Sequence, residues 1–202
     1  MKAIKGLLPE ELIEILNNPP FDNDAGLIIE TVKFNETGAL LTFSIRFYED
    51  SAQIWEIMIE GLEEERIIRN WSQTVEVYKE HPLLLEYHDL STELYFSGTT
   101  VNAEALFIDI VESLQLMNNA MLIAKYLLWP DSIRRLSQQE YGLFARGPKT
   151  ILKIYGDCLT KHGIKPIFIG EHYPPTENKS LKLLTLGDSY FIGKSFMFER
   201  KQ

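Results

Sequence analysis

The stretch Gly187-Asp188-Ser189-Tyr190-Phe191-Ile192-Gly193-Lys194-Ser195 ends in Gly-Lys-Ser, as a phosphate-binding loop does. Such a loop wraps phosphate with successive backbone amides and runs directly into a helix after its lysine. Here five residues separate the two glycines, one more than that loop has, and Phe196-Met197-Phe198 reads as strand. The expectation is a hairpin with a glycine bulge and no nucleotide.

Carboxylates and imidazoles offer a second chemistry. Glu86 and His88 lie two apart in a strand-like stretch, so they would project from one face and could hold a metal. His81 falls on the opposite parity unless the chain bulges at Pro82, and a third ligand would have to come from His172 or Glu171. The ordinary alternative is a Glu/His pair on the wet face of a strand. Glu86, His88 and His172 stand as the metal candidates, and no cofactor is expected.

Cys158 and His162 are four apart on a helical pattern, hence neighbours on its surface, a spacing that could lower a thiol pKa. Nucleophilic catalysis would also need an orienting group and an oxyanion hole, which cannot be located. A buried Cys158, with His162 beside a helix C-terminus where positive charge is favoured, is the simpler reading. Glu56, Glu60, Glu63, Glu64 and Glu65 could supply paired carboxylates, but the spacing and central glycine of a calcium loop are absent, so a solvated acidic face is expected. Trp55, Trp71, Tyr78, Tyr87, Tyr95 and Phe96 are more often core than ligand cage.

The elements that must position these groups show in the periodicity. Pro9 followed by Glu10 and Glu11 opens a short helix that stops before Pro19-Pro20. Leu41, Phe43, Ile45 and Phe47 alternate with polar residues, as do Trp55, Ile57 and Ile59. These are half-buried strands joined by turns at Asn35-Glu36-Thr37-Gly38 and Tyr48-Glu49-Asp50-Ser51. Val75–Tyr78, 83–87 and 94–96 read as further strands, and 63–71, which suits either state, is assigned to strand beside them. Ala103, Leu106, Phe107, Ile110, Val111, Leu114 and Met117 form the stripe of an amphipathic helix over 102–118, expected to pack across this sheet. The segment 121–129, apolar on all sides, reads as a buried helix or a contact with a second subunit. Ser137 with Glu140 has capping-box spacing. Gly147-Pro148 opens an amphipathic helix closed by Gly163, and strands follow at 167–169, 181–186 and 190–198, the last two a hairpin turning at Gly187-Asp188. The fold class is α+β: a mainly antiparallel sheet covered by an amphipathic helix, with a helical pair and a C-terminal β-hairpin.

Composition and charge bound what this fold can do. The 202 residues are 45% hydrophobic and 24% charged, enough apolar surface for a core without staples. A single cysteine permits no internal disulfide and fits a reducing compartment. The residues after Met1 are too short an apolar run for a signal peptide, and no stretch reaches the length of a membrane helix, so a cytoplasmic location is expected. Charge is sorted along the chain: residues 1–124 carry 7 Lys+Arg against 22 Asp+Glu, residues 125–202 carry 13 against 7, and the whole is −9. That split suggests an acidic strand-rich lobe over 1–124 and a mildly basic lobe over 125–202, with attraction between them as the alternative to an outside partner. The acid excess disfavours nucleic acid and anionic membrane as partners. Two functions stay open: a non-catalytic binding or regulatory module that meets a basic protein or forms a homodimer, and a hydrolase using Glu86, His88, Glu171 and His172.

Overall fold

The computed structural model describes residues 7–17, 26–47, 52–99, 102–117 and 139–201. The fold is α+β with antiparallel sheets, and contacts divide the chain into two compact units. The first comprises Met1–His81 and Ser180–Gln202, and the second Pro82–Lys179. The second unit is thus inserted, in sequence, into the first. This division falls elsewhere than the charge boundary at residue 124. The segment 121–129 and Ser137 lie outside the described residues.

In the first unit, α1 (Glu10–Leu16) precedes two four-stranded antiparallel sheets. One orders β1 (Gly26–Asn35), β2 (Gly38–Arg46), β3 (Ala52–Glu60) and β11 (Ser195–Lys201) side by side. The other orders β4 (Glu64–Arg66), β10 (Ser189–Gly193), β9 (Lys182–Leu186) and β5 (Val75–Tyr78). Leu27, Ile29, Leu41, Phe43, Trp55, Ile57 and Ile59 of the first sheet share one core with Val77, Leu184 and Phe191 of the second and with Leu12 of α1. Burial of each such large side chain is worth about 1.5–3 kcal/mol. The alternation in β1 is maintained by an irregularity in the register between Ile29 and Thr31. It accommodates Glu30 as an extra residue, so that Val32 faces inward with Leu27 and Ile29 while Thr31 and Lys33 face outward.

The second unit begins with a short 3-10 turn, Pro82–Leu84, and one helical turn, α2 (Leu85–His88). It continues through β6 (Ser91–Ser97), α3 (Ala103–Met117), β7 (Tyr141–Pro148), α4 (Lys149–Lys161) and β8 (Lys165–His172). The three strands form a sheet ordered β7-β6-β8. Helix α3 packs on α4, and α4 contacts all three strands. The amphipathic helix α3 thus lies in the second unit, packed on α4, and of the strands expected beneath it only β6 belongs to that unit's sheet. Helix α4 ends as its sequence indicates: Gly163 takes φ +75°, its N–H donates to Thr160 O, and the Ile164 N–H reaches back to Leu159 O, the paired bonds of a left-handed C-terminal cap.

Two sequence assignments are corrected here. Residues 83–87 are helical: Leu83 and Leu84 are buried together with the preceding Pro82, a demand one helical turn meets and an alternating strand does not. Tyr141–Pro148 is a strand against β6, not a continuation of a helix opened at Ser137 and Glu140, because its backbone supplies the partner for one side of β6. No described helix is long and apolar enough to cross a membrane.

The charge sorting has a topological cause. Acids of the first 124 residues meet bases of the last 78 in Lys201–Glu56 at 3.0 Å, Arg146–Glu93 at 2.7 Å, Lys161–Asp109 at 2.8 Å and Arg200–Glu11. Each of these pairs lies within a single unit. Counted by unit, the first carries 18 Asp+Glu against 11 Lys+Arg and the second 11 against 9. The surplus acid is a property of the first unit.

Candidate functional site

The predicted metal candidates do not form the pattern their spacing suggested. On α2, Glu86 and His88 are two apart in a helix and so point in different directions. His88 Nε2 lies 3.0 Å from Asn178 O; a carbonyl only accepts, so this nitrogen carries the proton and its lone pair is not available to a metal. Glu171 binds Lys149. His172 is exposed at the end of β8, opposite Ser91. Among the described residues no group of three or more His, Cys, Asp or Glu could hold a metal ion.

Cys158 is buried on α4, with its Sγ 3.5 Å from Ser113 Oγ, and burial pushes the thiol up, away from the thiolate a nucleophile requires. His162 turns instead to α3, where its Nε2 lies 2.7 Å from Asp109 Oδ2. Lys161 shares that carboxylate, and the hydrogen bonds from Lys161 and then His162 hold Asp109 below the usual carboxylate range. The cluster ties two helices together.

The Gly-Lys-Ser segment has a structural role. Gly187 turns the β9–β10 hairpin at φ +55°, and a strand, not a helix, follows Lys194. Lys194 is the residue at which the chain leaves the second sheet (β10) and enters the first (β11). Gly61-Leu62-Glu63 makes the same crossing in the opposite sense, from β3 to β4. The corners are tied by the Lys194 N–H to Glu60 O at 2.8 Å and the Glu63 N–H to Ile192 O at 2.9 Å. Gly61 adopts φ +59° under the aliphatic stem of Lys194, where a Cβ would lie 2.7 Å from Lys194 Cδ.

The tip of the β1–β2 hairpin reaches this double corner. The Thr37 N–H donates to Asn35 Oδ1 at 3.0 Å to shape the turn, and the Gly61 N–H donates to Thr37 O at 2.7 Å to dock it. Between tip and corners lies a groove of about 480 Å³ lined by Phe34, Asn35, Glu36, Thr37, Gly38, Gly61, Leu62, Glu63 and Lys194. Phe34 shares the inward parity of Ala39 but lies past the end of the core, and is 55% exposed. Glu36, Glu63 and Lys194 have no ion pair with a described residue, unlike Glu56, Glu93 and Asp109. The groove therefore presents an aromatic face, two carboxylates and one ammonium to a ligand.

In the sequence Glu63 reads as part of an acidic face, Asn35–Gly38 as a turn, and Lys194 as part of a phosphate-loop mimic. Phe34 and Leu62 carried no signal, because only the long-range pairing of β3, β4, β10 and β11 brings these positions together. No protein-family model matches the chain, and neither the curated proteins nor the solved structures show a significant match to it.

Proposed function

We propose that the chain is a non-catalytic cytoplasmic binding module whose first unit holds a basic segment of a partner protein in the strand-crossover groove. The observation that carries this reading is the exposed Phe34 beside two carboxylates that have no ion pair with a described residue, within the unit that holds most of the surplus acid. A basic segment supplies cations for Glu36 and Glu63, an apolar or guanidinium group for the ring of Phe34, and backbone carbonyls for Lys194.

Calorimetric titration with a short peptide alternating Arg and Leu tests this. Binding is expected at 50 mM salt and should weaken at 300 mM as exposed charges are screened. Glu36→Gln with Glu63→Gln should weaken it about 5- to 30-fold, from about 0.5–1 kcal/mol per exposed pair, and Phe34→Ala by a similar factor. Absence of binding, or binding that ignores all three substitutions, would refute the proposal.

A further inference from the structure

The outer face of the first sheet carries a second feature, independent of the groove. Residues facing outward line up in rows across its four strands. The registers place Lys33 beside Leu40, Leu40 beside Met58 and Met58 beside Met197. Met58 is 49% and Met197 48% exposed. The next row runs Thr31, Thr42, Glu56, Glu199, and the one after it Ile28, Ser44, Ile54, Lys201. Exposed methionines side by side on a central and an edge strand are soft contact surface suited to a partner.

We infer that this face binds a second copy of the chain, sheet against sheet, about a two-fold axis running along the strands. The order of residues within the rows favours a copy over an unrelated partner. Such an axis lays each row over itself in reverse. Leu40 then meets the other copy's Met58, and Lys33 meets its Met197. In the second row Thr31 faces Glu199 and Thr42 faces Glu56, so within that row each carboxylate gains a hydroxyl donor and none faces another, while Glu30, on the same face, keeps Ser44 and Arg46 of its own chain as partners. Lys33, which has no carboxylate partner among the described residues, comes next to the Glu199 of the other copy. A self-complementary patch of this kind is what an isologous interface requires. Nine-residue strands at about 3.4 Å per residue and four strands at about 4.8 Å spacing give a footprint of about 30 by 19 Å, at the lower end of what a specific interface uses. Phe34 and the groove face the other way by parity, so both surfaces can act at once.

Sedimentation equilibrium of the full chain decides the matter. The expected species at tens of micromolar is twice the 23.4 kDa of one chain. Met58→Glu with Met197→Glu should yield monomer, with the dissociation constant raised at least about 100-fold, while circular dichroism stays unchanged because both positions are exposed. Lys33→Glu should weaken the dimer several-fold at 50 mM salt and recover in part at 500 mM, where the new repulsion from Glu199 is screened. A wild-type chain that remains monomeric at 200 µM, a dimer that survives the double methionine substitution, or one indifferent to Lys33→Glu would each overturn the inference.

Discussion

Gly38→Ala tests how tightly the sheet is built beneath the groove. A Cβ at Gly38 would lie 1.9 Å from the carbonyl oxygen of Ile59 and 3.0 Å from its carbon, where real side chains keep more than 3.0 Å. That carbonyl belongs to β3, which is paired on both flanks by β2 and β11, so it cannot step aside without opening a ladder. Relief requires a shift of over about 1 Å, at the upper end of the 1–3 kcal/mol that overpacking costs. For a unit of about 100 residues this corresponds to a fall in Tm of about 12 °C. Gly26→Ala is the matched control in the same unit. Its Cβ would meet the Trp71 ring at 2.7 Å, but Trp71 is 56% exposed and can swing outward, leaving Ser72 O at 3.1 Å as the remaining close contact. A cost under about 1 kcal/mol is expected. Thermal unfolding followed by the fluorescence of buried Trp55 reads both variants. The reasoning fails if Gly38→Ala costs no more than Gly26→Ala.

Two titratable groups give further expectations. Burial holds His81 down to about 4 from an ordinary 6.5, so the folded chain keeps the imidazole neutral while the unfolded chain protonates it. Stability present above pH 6.5 is lost as pH falls toward 4, by about 1–2 kcal/mol after allowance for the partial exposure of the ring. Chemical denaturation across that range should show the loss in the wild type and not in His81→Gln, and equal slopes would count against it. The Cys158 thiol, raised by burial, should react with iodoacetamide at pH 7.5 about 100-fold more slowly in the native chain than in urea, and equal rates would show that it is not enclosed.

The local parts of the fold were legible where one physical signal acted alone. The alternation over 41–47 and 55–59 marked β2 and β3, the stripe over 103–117 marked α3, and Gly163 and Gly187 marked a helix end and a hairpin turn. The reading failed where burial on all sides erased the period. Leu83-Leu84-Leu85 is equally apolar as strand or as helical turn, and Tyr141–Pro148 declares itself only through β6, some 50 residues earlier in the chain. The distribution of strands among three sheets was hidden for the same reason, since β3 finds β11 and β4 finds β10 across the whole insertion. The groove inherits this opacity: its lining comes from three separate stretches, none with a spacing of its own. Charge sorting was visible at once, and its meaning became readable only when Glu56 and Lys201 were found on adjacent strands.

The insertion of the second unit imposes an order on biosynthesis. Strands β5 and β9 are direct neighbours, with Tyr78 opposite Leu183, yet the whole of Pro82–Lys179 is translated between them. At roughly 5–20 residues per second, β1 to β5 spend several seconds or more outside the ribosome with one flank of β3 open and no β9 or β10 to cover Leu41, Phe43 and Ile57. Within the inserted unit His88 Nε2 lies 3.0 Å from Asn178 O, so folding of that unit during this interval would bring Tyr78 and Leu183 closer and shorten the loop whose closure opposes the pairing. Until residue 182 emerges β5 lacks the β9 partner it has in the finished sheet, so its ladder groups stay open to other strands.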